Sequence, residues 1–159
     1  MQTFVPYTDI RECAESLDYR RLGKQRVEVL QILRASMKVP GKEGSSWKAG
    51  QVGWSNHPAT KMWKGHLSGL IAYGVAICDE WISRGYKDTC RDKILQCGIP
   101  DEMDMPLWWG DEKVHSSHRA NLLRKFPEHY AQFGWTEDPN MPYFWPSNDD
   151  YSERIAIAG

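Results

Sequence analysis

No apolar run in this sequence approaches the roughly 20 residues that a membrane-crossing helix needs, and nothing at its start reads as a leader segment. The chain is therefore expected to be intracellular, with no membrane partner. A surplus of one charge is also missing: 20 Lys and Arg stand against 21 Asp and Glu, a formal net charge of −1. A site for a polyanion must come from uneven distribution instead. Cysteine is scarce. Cys13, Cys78, Cys90 and Cys97 are scattered without a Cys-x-x-Cys pair, which argues against zinc-finger spacing and reads as reduced thiols. No stretch alternates apolar and polar residues for long enough to make a strand, and no segment repeats. These absences leave an all-α fold. With 159 residues and 41% hydrophobic content, the chain is expected to form a single compact helical domain over 1–159, with 147–159 a mobile tail.

What is present is organised around Leu17 to Met37, LDYRRLGKQRVEVLQILRASM. Asp18 can cap this helix, and Leu22, Val29, Leu30, Leu33 and Met37 give it a core stripe. Arg21, Lys24, Gln25 and Glu28 fall three, four and seven residues apart, so they share the other side. Arg20, Arg21, Lys24, Arg26, Arg34 and Lys38 oppose only Asp18 and Glu28. A basic face suits a polyanion, and a lone carboxylate within it suits proton chemistry. The plain alternative is a solvated face with Lys24 and Glu28 as an ordinary pair.

Around this helix the remaining elements follow from local signals. Residues 1–7 read as extended and closed by Pro6, and Asp9 with Glu12 fits a capping box for a short helix over 10–17. Val39 to Asn56 is Gly- and Ser-rich loop carrying Trp47 and Trp54. Pro58 to Arg84 reads as one long central helix, capped by Asn56 or His57 and stopped at Gly85. Its stripe of Trp63, Leu67, Leu70, Gly74, Ile77, Cys78 and Trp81 should centre the core. Asp88 can cap a helix to about Cys97, ended by Gly98; residues 99–114 read as acidic loop. Ser116 or Ser117 is expected to cap a helix over HRANLLRK, with Pro127 opening a turn through Phe133. From Trp135 an irregular aromatic strap is expected to wrap the helices.

Three stretches together resemble a known family. NHPATKMWKGHLSGLIAYGVAICDEWISRGY (56–86), LDYRRLGKQRVEVLQIL (17–33), and SHRANLLRK with the later PYFWP are similar in order and spacing to the pyrimidine-dimer DNA glycosylases of the endonuclease V type, in a bacterial and phage subgroup. The resemblance covers about residues 1–146. It implies an α-helical enzyme that excises damaged pyrimidines and cuts the abasic site, with an N-terminal α-amine as nucleophile and an assisting glutamate. By position these become Met1 and Glu28. Gln2 is too bulky for efficient removal of the initiator Met. Family members often carry Arg where this chain has Gln2, and Arg before the glutamate where it has Val27, with Arg26 one position earlier.

An α-amine has an unperturbed pKa of about 7.7–8.0, so part of it is neutral and nucleophilic at cellular pH. No metal or cofactor is required. The expected partner is double-stranded DNA with a damaged or modified base, bound by a monomer. Candidate contacts are Gln2, Arg20, Arg21, Lys24, Arg26 and Lys125, with Trp47 and Trp54 as wedge or stacking residues. His57 either caps a helix or reaches the site, and His118 and Arg119 would meet a phosphate at a helix start. Two other functions compete. Gln2 and Val27 favour a non-catalytic module that binds distorted or modified DNA. A metal enzyme using His115, His118 and a carboxylate lacks a third ligand at recognisable spacing.

Overall fold

A computed structural model describes residues 2–37 and 57–147. Met1, the loop with Trp47 and Trp54, the Asn56 cap and the tail from 148 onward lie outside the described residues. The elements are α1 (Ile10–Ser16), α2 (Tyr19–Met37), α3 (Pro58–Met62), α4 (Leu67–Ser83), α5 (Cys90–Leu95), α6 (Glu112–Lys125) and α7 (Pro127–Tyr130), followed by a 3-10 turn over Ala131–Phe133. The fold is all-α, with no strand among the described residues.

Local chemistry places the helix starts. Asp9 accepts from the N–H groups of Arg11 and Glu12 at 2.8 and 3.0 Å, opening α1. At the head of α2 the Asp18 carboxylate accepts from the Arg21 N–H at 3.4 Å, and the Asp18 carbonyl takes the first ladder bond from Leu22. Leu22, Val29, Leu30 and Leu33 are buried as the stripe predicts, and Ile32 joins them. The four cysteines are thiols, three of them buried.

The long helix expected over Pro58–Arg84 is two helices. His57 Nδ1 caps α3 by accepting from the Ala59 N–H at 3.0 Å, and the chain then turns at Gly65, whose φ is +83°. Glycine adopts that left-handed conformation without a steric penalty, and the turn frees the last carbonyls of α3. Trp108 Nε1 takes one of them, donating to the Met62 carbonyl at 2.7 Å. The break swings Trp63 into the core, where its ring meets Trp108 edge-on at 5.3 Å and its Nε1 donates to Thr3 Oγ1 at 2.9 Å. Burying side chains of this size contributes about 2–3 kcal/mol each, more than the ladder bonds lost at the break.

α4 is the hub, packed on α1, α2 and α5. A Cβ on Gly74 would sit 2.6 Å from Val29 Cγ1, so its lack of a side chain permits the close α2–α4 approach. The helix stops as expected: Gly85 has φ +94° and the Tyr86 N–H returns to the Trp81 carbonyl at 3.3 Å. Asp88 caps α5 through the N–H groups of Cys90 and Arg91, but the helix ends at Leu95, short of Cys97.

α6 starts at Glu112, earlier than the Ser116 or Ser117 cap expected. Asp111 is the cap, accepting from the Lys113 N–H at 3.0 Å, and the acidic first turn suits the helix dipole. Ser117 instead turns its hydroxyl back to the Val114 carbonyl at 2.9 Å. The shift puts His115 and His118 inside the protein, not at a helix start. The strap from Trp135 is irregular as expected. Trp135 stacks on Tyr130 at 5.6 Å, and Trp145 meets His57 edge-on at 5.9 Å.

Candidate active site

Residues 2–6 are extended, and Thr3, Phe4 and Val5 are buried among the helices. Buried backbone polar groups need partners, and with no sheet to supply them the helices offer side chains. Gln25 Nε2 donates to the Gln2 carbonyl at 2.8 Å, and the Phe4 N–H donates to Gln25 Oε1 at 2.9 Å. Tyr73 from α4 donates its hydroxyl hydrogen to the Phe4 carbonyl at 2.6 Å, with Gln25 Oε1 also within 3.0 Å. The Val5 N–H donates to His118 Nδ1 at 2.9 Å. The Val5 carbonyl lies 2.7 Å from His115 Nδ1, and Arg119 Nη1 donates to the Pro6 carbonyl at 2.8 Å.

These bonds fix both imidazole tautomers. His115 Nε2 accepts from the Gly110 N–H at 3.0 Å, so its Nδ1 carries the proton given to Val5. His118 uses its Nδ1 lone pair on Val5, so the proton sits on Nε2. Neither ring keeps a lone pair for a metal, which removes the metal-enzyme alternative built on this pair. Burial holds both imidazoles below their usual pKa, His118 down to about 3.

At the head of this segment lies Glu28, 7% exposed. Its Oε2 accepts from Gln25 Nε2 at 2.6 Å, and the Gln2 backbone N–H also reaches the carboxylate. Lys24 Nζ stands 3.9 Å from Oε1. Burial pushes the carboxyl pKa up. The positive charge of the chain's amino end, Lys24, the Gln2 N–H and Gln25 pull the other way. A carboxyl raised in this way beside a basic face is suited to taking and returning a proton.

A family model described as pyrimidine dimer DNA glycosylase matches residues 1–94. The chain belongs to the pyrimidine dimer DNA glycosylase family. No curated protein and no solved structure matches it. The family match takes in α1 to α5, hence Gln2, Gln25, Glu28 and Tyr73; α6 and the aromatic strap lie beyond it.

The bases expected to hold DNA divide in two in this pyrimidine dimer DNA glycosylase family member. Arg20 and Lys24 project into solvent from α2, and Arg21 is half-buried against Asp18 at 3.2 Å. Lys125 joins them from α6. Lost hydration lowers its ammonium pKa, and so do Arg21, Arg124 and Lys24, while Glu28 raises it, so charges on α2 and α6 act on one another. Arg26 and Arg119 depart from expectation. Arg26 lies over the Trp81 ring at 4.4 Å and pairs with Asp88 at 2.5 Å. Arg119 is held by Glu137, Glu112 and Pro6. Each side chain is only 14% exposed, so neither presents a guanidinium for phosphate. His118, wholly buried, is likewise a clamp on Val5 and not a phosphate contact.

His57 caps α3, and its imidazole pKa is lowered by burial and by the positive charge of the amino end. Gln2 is half-buried with its backbone tied to Glu28 through Gln25. Two neighbours of the site escaped the sequence. Gln25 gave a signal, since it shares a helix side with Glu28. Tyr143 gave none. Its ring stacks on His118 at 4.7 Å, and its hydroxyl is buried without a hydrogen-bond partner among the described residues. Burial and then Glu28 push its pKa up.

Proposed function

We propose that the protein is a DNA glycosylase with abasic-site lyase activity on damaged or modified pyrimidines, in which the α-amine of Met1 is the nucleophile and Glu28 assists. Family membership supports the glycosylase class. The observation that supports the finer reading is the double tie of Gln2 to Glu28, through the Gln2 N–H directly and through the Gln2 carbonyl by way of Gln25.

The chemistry then runs as follows. The neutral amine attacks the sugar C1′, and the base leaves with the electron pair of the glycosidic bond and takes up a proton. The Glu28 carboxyl protonates the ring oxygen as the sugar opens to the imine, taking in exchange the proton lost by the attacking amine. β-Elimination follows: the C2′ proton is removed and the 3′ phosphate leaves. Lys24, Arg21 and Lys125 favour the neutral amine by like-charge repulsion and hold phosphates at the same time.

Borohydride reduction on DNA carrying an abasic site or a pyrimidine dimer tests this. A covalent adduct mapped to the α-amine of Met1 is the expected result. One extra residue before Met1, or acetylation of the amine, should abolish the adduct while the fold survives. An adduct on a lysine, or full activity with a blocked terminus, overturns the reading. Binding without any cleavage would leave the non-catalytic module that Gln2 and the exposed Val27 favour.

A further inference from the structure

Building on the imine reading above, we propose that Gln25 is a positioning residue for the reaction: its side-chain amide holds the start of the chain and the Glu28 carboxylate in one fixed register.

A glutamine amide offers two donor hydrogens and an oxygen with two lone pairs. All are engaged here. Nε2 donates to the Gln2 carbonyl at 2.8 Å and to Glu28 Oε2 at 2.6 Å, while Oε1 faces the Phe4 N–H at 2.9 Å and the Tyr73 hydroxyl at 3.0 Å. Turning the amide over would set donor against donor and oxygen against oxygen, so only one orientation satisfies the site. The pattern is that of a sheet. In a parallel ladder, a residue opposite Thr3 would give its N–H to the carbonyl of residue 2 and accept from the N–H of residue 4. Gln25 does both with its side chain, supplying an edge for an extended segment in a fold without strands among its described residues.

The position of Gln25 follows from α2. It sits three residues before Glu28, so both side chains rise from one side of the helix and the helix sets their separation. The first residues inherit that separation through the amide. Glu28 cannot move relative to Gln2 without a buried donor or acceptor losing its partner. Gln25 never needs to touch substrate, because it acts through Glu28 and through the backbone of Gln2.

The residue type is tested by two substitutions of similar size. Gln25→Glu replaces the donor with oxygen, setting a second carboxyl against Glu28 at the same short spacing. Two carboxyls sharing a site resist joint ionisation, so the acidic limb of the pH–rate profile should rise by about one pH unit or more. Gln25→Met keeps the bulk and removes all four bonds. A misplacement of about 1 Å can cost roughly 10²-fold in rate. Single-turnover cleavage of abasic-site DNA should therefore fall by about that factor, with KM within about three-fold of the parent.

Thermal melts at each pH establish that the protein measured is folded. If Gln25→Met does not fold, the pH profile of Gln25→Glu carries the test alone. Variants that melt lower yet keep the parental rate and pH profile would make Gln25 merely structural and overturn the proposal. A parental protein that gives no adduct at its α-amine removes the imine reading and this proposal with it. A parental adduct with unaltered variants removes the positioning role alone.

Discussion

α2 and α6 carry the two basic segments of the chain and use them in opposite ways. α2 leaves Arg20 and Lys24 in solvent beside a nearly buried Glu28. α6 turns Arg119 inward to Glu112, Glu137 and the Pro6 carbonyl, and gives both of its histidines to Val5. The difference lies in what packs on each helix. The acidic strap crosses α6 and brings Glu137 to Arg119, whereas on α2 Arg26 meets Asp88 and leaves Arg20 and Lys24 to solvent. Basic residues on a helix thus become a surface or a scaffold according to which acids fold against them.

Glu28→Gln should break this division most severely. On the α2 side it removes the proton carrier, and strand cleavage should fall by about 10²–10⁴-fold while DNA binding changes by no more than several-fold. Undiminished cleavage would take Glu28 out of the mechanism. Next in size is Arg119→Ala, which leaves Glu137, 10% exposed, without its guanidinium. Stability should drop by about 3 kcal/mol in denaturant titration. The salt dependence of DNA binding should stay as it was; a shallower slope would move Arg119 to the surface class.

The α6 clamp also sets a pH dependence. His118 is held near pKa 3 in the folded protein, against about 6.5 when unfolded. The unfolded chain binds the extra proton between those values, so stability is fully present above about 6.5 and is lost as pH falls toward 3. Melting temperature followed from pH 7 to 4 should decline, and the decline should be smaller in His118→Gln, whose amide accepts from Val5 without titrating. The smallest effect belongs to Lys24→Ala. With Lys24 76% exposed, the fold should be unchanged within about 0.5 kcal/mol. The log–log salt slope of duplex DNA binding should lose about 0.9. An unchanged slope would mean that α2 is not the phosphate-bearing face.

The elements legible from sequence were those governed by neighbours in the chain: the Asp9 and Asp88 caps, the Gly85 stop and the amphipathic face of α2. Gly65 gave a stop signal as plain as that of Gly85, but the apolar stripe running through it argued for continuity. The start of α6 was misplaced because Asp111 looked like one more acid in an acidic loop. Glu28 on its basic helix face was legible because α2 alone arranges it. Arg26, Arg119 and His118 were not, since their partners lie 62, 18 and 113 residues away. The role of Gln25 likewise depends on backbone 21 to 23 residues distant.

The threaded N-terminal segment also has a consequence for biosynthesis. Val5 finds its partners only when His115 and His118 have been made, 110 and 113 residues later. At roughly 5–20 residues per second that is a wait of about 6–23 s. Until then the backbone of Val5 and Pro6 lacks the clamps that α6 supplies. A nascent chain ending at residue 94, where the family match stops, would carry Glu28 and Gln25 but not α6. The extended segment is therefore held in two stages, first by Gln25 and Tyr73 and only afterwards by α6.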